Sequence, residues 1–414
     1  MSPTPASPRT ARAVNDRLAL RLLQEEGPLT ARRLTRLTGL SRPTVADLVE
    51  RLQGAGLVRV VGESGTERRG PNARLYGIVA DRAHLAALDV RLRGVTVTVT
   101  DLLGAPLARA TAPVGGDTDP DRAADRAAAL LERAVREAGA TRLHTVCLGA
   151  PGLIDPATGA PRDAAGLPAW HRRLVAALRA RVPAAVLVEN ETNLAAVAEL
   201  REGAARDRGT FVLLWLGHGV GAAVVLDGAL RRGASGGAGE IGFLPVPGTG
   251  RLPSATDCSG GLHALVGSAA VRALAAEHGI EAAGDGGGGG GGGDGGGEPA
   301  GARAVRAALE HLAARGAAAG AADAFLDALA GRVALGAAAV GAVLDPGCVV
   351  LGGELGHAGG AALAARVEER LAALSPLRTE VRASALGGAA VLRGALLTAR
   401  DTAQDALFGS PPVP

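Results

Sequence analysis

Thr30 to Leu57 reads TARRLTRLTGLSRPTVADLVERLQGAGL. Thr30 is placed to cap a short helix with Leu34 and Leu37 on its inner side, and Gly39-Leu40 makes a turn. Ser41 caps a second helix, in which Pro43 near the start needs no N–H partner. Val45, Leu48, Val49 and Leu52 then recur at helical spacing, and Thr44, Asp47 and Arg51 fall largely on the opposite face. Gly54 and Gly56 stop the helix. One face is fixed to a core and the other can enter a major groove, the pattern of a helix-turn-helix. Any small helical hairpin uses the same caps and periodicity, so the flanks must decide between the two readings.

Upstream, residues 1–12 hold Pro3, Pro5, Pro8 and two arginines, which predicts a disordered basic arm with no apolar run of the signal-peptide kind. Val14, Leu18 and Leu22 predict a first helix ending near Glu25–Gly27. Downstream, Val58, Val60 and Val61 predict one strand, and Leu75, Tyr76, Ile78 and Val79 a second. The glycine-rich turn between them carries Arg68 and Arg69, so the pair forms a wing with a cationic tip suited to phosphates or the minor groove. Residues 1–80 hold 13 Arg against 7 Asp or Glu, a balance of +6, whereas the whole chain is 44 − 41 = +3. The basic surplus therefore lies in the front module, as attraction to DNA phosphates requires. All 44 basic residues are arginine, which with so much Ala and Gly reflects compositional bias.

The remaining chain is long enough for one or two further domains within its 414 residues. Aromatics make up only 2%, so cores must rest on Leu, Val and Ala. The most apolar run, Val333 to Val350, is broken by Gly336, Gly341, Asp345 and Pro346, and no membrane span is expected. Cys147, Cys258 and Cys348 are isolated, which argues for a reducing cytoplasm and against a disulfide framework or thiolate metal cluster. Gly284 to Gly297 is nearly all glycine and predicts a flexible insertion. From Leu85 onward, strands ending in glycines alternate with helices in two successive series, which predicts α/β architecture in two lobes around a cleft. The expected division is 13–80 for the winged module, 84–205 and 206–400 for the lobes, and 401–414 for a flexible tail.

Four segments in order resemble the ROK family (repressors, open reading frames and sugar kinases), whose fold is that of the actin and hexokinase ATPases. Gly149-Ala150-Pro151-Gly152 with Asp155 and Gly159 is similar to its G-x-P-G-x-x-D signature. Glu189-Asn190-Glu191-Thr192-Asn193 resembles E-N-D-A-N, Gly236 to Gly242 resembles A-G-E-I-G, and Val350-Leu351-Gly352-Gly353 resembles the adenosine-side glycine pair.

The departures from that pattern count against catalysis. The resemblance implies an aspartate general base where Glu191 stands; one more methylene moves the carboxylate, and errors of about an ångström cost on the order of 10²-fold. Where family kinases have Asp-x-Gly-Gly-Thr, this chain has Asp89-Val90-Arg91-Leu92-Arg93-Gly94, without paired glycines to close on a phosphate. Arg91 and Arg93 either attract an anion or form a solvated face. In Gly217-His218-Gly219-Val220-Gly221 the histidine, standing where kinases have threonine, either donates to an anion or packs as a turn residue.

Phe243 replaces a histidine that the family uses for zinc and sugar, and around Cys258 the zinc-binding cysteines are missing, so no metal or cofactor is expected. The resemblance leaves Asn190, Glu191, Glu240 and His263 as sugar-binding candidates. The helix-turn-helix and its wing offer Ser41, Arg42, Thr44, Arg51, Arg68 and Arg69 as DNA contacts. The expectation is a cytoplasmic regulator, most simply a repressor, binding duplex DNA as a homodimer or homotetramer under control of a sugar-like effector. The alternatives are an ATP-dependent sugar kinase carrying a DNA module, and a regulator whose second module serves only as a dimerisation scaffold.

Overall fold

The computed structural model describes residues 8–64, 73–92, 94–114, 119–162, 169–281 and 298–408. The expected glycine-rich insertion at 284–297 lies outside the described residues, as do Arg68, Arg69 and Arg93.

The front module comprises α1 (Pro8–Glu25), β1 (Leu29–Thr30), α2 (Ala31–Thr38), α3 (Arg42–Gly54), β2 (Val58–Ser64) and β3 (Ala73–Ile78), with sheet order β1-β3-β2. Thr30 Oγ1 accepts from Arg33 N at 3.2 Å, and Gly39 closes α2 in the left-handed region (φ 70) with its N–H on Thr35 O. Leu20, Leu23, Leu34, Val45, Leu48 and Leu52 are buried together, so the stripe that defines α3 is its anchoring face. The first helix begins at Pro8, so residues 8–12 of the expected disordered arm are helical, while residues 1–7 lie outside the described residues; proline suits a first helical turn rather than ending one.

The first lobe has β4 (His84–Arg91), β5 (Gly94–Asp101), β6 (Pro106–Pro113), β7 (Leu143–Ala150) and β8 (Ala185–Asn190), in order β6-β5-β4-β7-β8. Strands β4, β7 and β8 are parallel, while β5 and β6 form an antiparallel meander on β4. Helices α4 (Pro120–Glu137) and α5 (Trp170–Arg181) cover one face, burying Leu131 and Leu174 against Leu88 and Val97. Against the opposite face lies α6 (Glu191–Glu202).

The second lobe has β9 (Phe211–Leu216), β10 (Val220–Leu226), β11 (Ala229–Arg231), β12 (Cys348–Gly352) and β13 (Glu380–Ala383), in order β11-β10-β9-β12-β13. Its outer face carries α7 (His263–Val266), α8 (Ser268–Glu277), α9 (Ala300–Ala314), α10 (Ala319–Leu344) and α11 (Gly353–Leu374), the last broken at Gly360. By length and composition α10 is apolar enough to cross a membrane, but half of its most apolar window is buried, with Phe325, Leu329 and Val333 in the lobe core. Its inner face, with Phe211, Leu213 and Val350, meets Leu194, Ala195 and Ala196 of α6, so α6 lies between the two sheets.

The final helix, α12 (Ala390–Phe408), returns to the first lobe, where Val391, Ala395 and Ala399 are buried beside α6, β4 and β7. This moves the lobe boundary: residues 390–400 belong with the first lobe, and the expected flexible tail at 401–414 is helical to Phe408 because Ala403 is buried. Helix α12 also supports the front module. Arg17 pairs with Asp405, and Gln404 Nε2 donates to Gln24 Oε1 at 2.9 Å.

Candidate DNA face and interlobe cleft

The free face of α3 presents Arg42, Ala46, Asp47, Glu50 and Gln53 to solvent. Arg42 has no hydrogen-bond or ion-pair partner among the described residues. Ser41 and Thr44 are engaged with each other. Their hydroxyl oxygens are 2.8 Å apart, and Ser41 Oγ accepts from Thr44 N at 3.4 Å, so both serve the cap first. Arg51 departs from expectation. Its Nη2 lies 2.6 Å from Asp16 Oδ1, and it also pairs with Asp47. The guanidinium fastens α3 to α1 because Arg51 sits on the flank of α3 that faces α1, and it is not aimed outward. Arg36 of α2 and Gln53 were not singled out from sequence; both are exposed, and Arg36 also lacks a described partner. Arg36 lies on the helix that crosses the backbone in this motif.

The cleft lies at the carboxyl ends of β4, β8, β9 and β12, where α/β sheets bind ligands. Its centre is Arg91. Nε lies 2.8 Å from Asp89 Oδ1 in the same strand, and Nη1 lies 2.6 Å from Glu354 Oε1 in the first turn of α11. The guanidinium sits 5.7 Å from the ring centroid of Trp215, on β9. His171 Nε2 is 3.3 Å from Arg91 O, and Trp170 meets the His171 ring edge-on with centroids 4.3 Å apart. Thus Arg91, standing where the resemblance implied a phosphate-binding glycine, is half-buried and spans the cleft. It is paired with two carboxylates and is not free to take an anion unaided.

Glycines flank this clasp, and at Gly353 the left-handed backbone and the close Leu216 carbonyl require one. A Cβ on Gly217 would fall 2.4 Å from Glu354 Oε2, and one on Gly353 (φ 75) would fall 2.4 Å from Leu216 O. The second phosphate-type loop and the terminal glycine pair therefore admit Glu354 and let β12 approach β9. His218, between Gly217 and Gly219, is exposed.

Glu191 opens α6 and points its carboxyl at the same cluster. Burial, reinforced by Asp89 and Glu354 and opposed by its own backbone N–H and Arg91, pushes it up to about 8. Its Oε2 is buried without a hydrogen-bond partner among the described residues. Burial also raises the Asp89 carboxyl against the pull of Arg91. The one guanidinium of the clasp is shared between two carboxylates, Asp89 and Glu354, a local field that does not favour a phosphate.

Asn190 is largely taken up by structure. Its Oδ1 accepts from Thr192 N at 2.8 Å and Asn193 N at 3.3 Å, capping α6, while Nδ2 donates to Gly152 O at 3.0 Å. One amide N–H remains for a ligand. Glu189 is buried and accepts from Asn193 Nδ2 at 2.9 Å and Arg232 Nε at 2.6 Å, so it too is structural. Glu240 is exposed, makes no side-chain cap bond, and has no ion-pair partner among the described residues; partial desolvation raises its carboxyl. It is free to accept hydroxyls. His263 is half-buried at the start of α7, and burial holds its imidazole below the ordinary value. Among the described residues no three of His, Cys, Asp and Glu converge to hold a metal. The loop around Cys258 is instead tied by Arg251 Nη2, 2.9 Å from Asp257 Oδ2 and bonded to Ser259 Oγ.

Comparison with known proteins agrees with both halves of this description. The model of the ROK family matches residues 86–402, and that of the MarR family matches residues 14–70. The xylose repressor of Caldicellulosiruptor bescii is 23% identical over 235 residues, which cover 56% of this chain and 59% of that protein's length. The crystal structure of a ROK family transcriptional regulator, a homolog of the E. coli MLC protein, superposes with a TM-score of 0.72 at 20% identity, covering 96% of this chain and 98% of that one. The ROK hexokinase of Thermus thermophilus superposes at 0.59 with 27% identity, covering 78% of this chain and 99% of its own. The chain thus belongs to the ROK family, with a winged helix-turn-helix ahead of an actin/hexokinase-like module, and is related both to transcriptional repressors and to sugar kinases.

Proposed function

We propose that this protein is a DNA-binding transcriptional repressor whose two-lobed module binds a sugar or similar polyol without phosphorylating it. The observation that carries this reading is the Arg91–Glu354 contact across the cleft, 2.6 Å long, at the position where a kinase needs bare backbone for phosphates. The anchored α3 with an unpartnered Arg42 supports the DNA half. The likeness to a xylose repressor over 56% of the chain, and to a ROK regulator structure over 96% of it, supports the arrangement as one functional unit. A two-fold dimer would read half-sites spaced by about 34–36 Å or multiples of it. The ligand shifts DNA affinity only if it prefers one lobe arrangement, and the clasp is one contact through which such a preference would act.

A second reading, sugar kinase, draws support from Glu191. Its carboxyl, at about 8, lies where a general base works at neutral pH, and its unpartnered Oε2 would accept a sugar hydroxyl proton. Two measurements separate the readings. Selection of bound fragments from a genomic pool should return discrete sites, bound more weakly as salt rises and lost with Arg42→Ala. A coupled ADP-release assay across hexoses and amino sugars should stay at background, while the same sugars are screened for a rise in Tm. Sugar-dependent ADP release abolished by Glu191→Gln would replace the first reading with the second. A Tm that no sugar moves would leave the module a scaffold.

A further inference from the structure

At the opposite end of β4 from the clasp, about 23 Å away by strand rise, a cavity of about 730 Å³ opens where the front module meets the first lobe. Arg82 comes from the turn that leaves the winged module, His84 from the start of β4, and Arg142 and His144 from the start of β7. Leu143 and Leu407 supply apolar wall. The size is that of ordinary small-molecule sites, ~300–1,000 Å³.

The chemistry of the wall is selective. Arg82 and Arg142 are exposed, and neither guanidinium has a hydrogen-bond or ion-pair partner among the described residues. The carboxylate in the wall, Asp81, lies 3.6 Å from Arg59 of β2 and is paired there rather than with either arginine. Burial and the nearby Arg142 and Arg82 hold the His144 imidazole below its ordinary value, and its Nδ1 is 2.9 Å from Thr145 Oγ1, which leaves Nε2 as the ring nitrogen open to an occupant. Two forked cations without partners of their own match a phosphate group better than a neutral sugar.

We propose that this junction cavity binds a phosphate group, free or esterified to a small organic molecule, between Arg82 and Arg142, with any organic remainder against Leu143 and Leu407. The site lies among the contacts that hold the winged module. Ala80 O accepts from Leu102 N at 3.0 Å, Asp81 reaches Arg59, and α12 carries both Leu407 of the wall and Asp405, the partner of Arg17. An occupant would therefore alter how the module is seated, a consequence that rests on the regulator reading, whereas the site itself does not.

Calorimetry of the full chain with glucose 6-phosphate and with inorganic phosphate, at ionic strength fixed with chloride, tests the site. Saturable binding weakened at least tenfold by Arg82→Met and by Arg142→Met is expected, with thermal melts confirming that both variants fold. Equal affinity for the two probes assigns the site to the free anion, and tighter binding of the ester assigns it to a phosphomonoester. Background heats for both probes, or affinities that neither substitution moves, would overturn the proposal. So would binding kept in those variants and lost in Glu240→Gln, which places the ligand in the cleft. In the same buffers glucose 6-phosphate should change affinity for a selected DNA fragment at least threefold, and not in the arginine variants. An unchanged DNA affinity beside intact binding would retire the coupling. A chain that binds no DNA would sink the regulator reading, and the calorimetry would still decide the site.

Discussion

Arg91 Nη1 lies 2.6 Å from Glu354 Oε1, so a hairpin of the first lobe is tied to the first turn of a helix in the second. The same guanidinium partners Asp89, whose side chain is 10% exposed. Arg91→Met would strand that carboxylate. A fully buried broken pair costs about 3–5 kcal/mol; with the arginine 35% exposed, about 2–3 kcal/mol is expected in urea unfolding. Glu354→Gln, which leaves the Asp89 pair intact, should cost less. Because Arg91 lies over Trp215, both substitutions should also shift the tryptophan emission. An unchanged spectrum in R91M would show that the clasp does not hold in solution.

Glu191 supplies a pH signature. Its carboxyl is near 4.5 in an unfolded chain and about 8 in the folded one. Between these values the folded state keeps a proton that the unfolded state has released, so stability falls as pH rises from about 4.5 to about 8 and levels off above. Glu191→Gln preserves the neutral shape and removes that loss. The variant should match the wild type near pH 4.5 and exceed it above pH 8 by something on the order of 2–4 kcal/mol. Parallel stability curves over that range would mean that Glu191 ionises normally, and the field argued for the cleft would have to be redrawn.

Arg42 and Arg51 sit on one helix yet should fail differently. Arg42 is exposed and unpartnered among the described residues, so Arg42→Ala should leave Tm within about a degree or two and lower the dependence of DNA affinity on salt by about one ion. Arg51 joins α3 to Asp16 of α1. Its side chain is 30% exposed, so Arg51→Ala should lose about 1 kcal/mol, and DNA binding should fall through loosening of α3. Asp16→Asn should reproduce the Arg51 result although it removes no positive charge. If Asp16→Asn leaves both stability and DNA affinity alone, Arg51 acts on DNA directly.

These cases show which parts of the molecule sequence could reveal. Periodicity and caps located α3 closely, because it buries Val45, Leu48, Val49 and Leu52 at helical spacing. β6 escaped notice because it is an edge strand of alternating small and polar residues, mostly exposed. The return of α12 to the first lobe is a long-range packing decision, made by Ala395 and Ala399 against α6, and no local pattern encodes it. The cleft was legible as a place and not as a mechanism. Asp89, Arg91 and Glu191 all stood in motifs, but that Arg91 closes on Glu354 depends on two segments 263 residues apart. Glu354 directly follows the Gly352-Gly353 pair, which was the available hint.

Glu199 carries the last expectation. It is fully buried in α6, and its carboxylate accepts from Ala204 N at 2.6 Å, Leu386 N at 3.1 Å, Ala385 N at 3.3 Å and the Ser384 hydroxyl. Residues 384–386 lead from the second lobe into α12, the helix on which α1 rests through Arg17 and Asp405. Removing the acceptor leaves several N–H groups buried without partners, so Glu199→Ala should cost about 3–5 kcal/mol. Glu199→Gln retains one acceptor oxygen and should cost roughly half as much. The distinctive readout is hydrogen exchange. Amides 384–386 should lose protection first, followed by the last turns of α12 and the facing stretch of α1, before the sheets of either lobe open. Exchange that rises uniformly across the first lobe would mean that Glu199 supports its core alone, with no specific hold on the path between the cleft and the DNA-binding module.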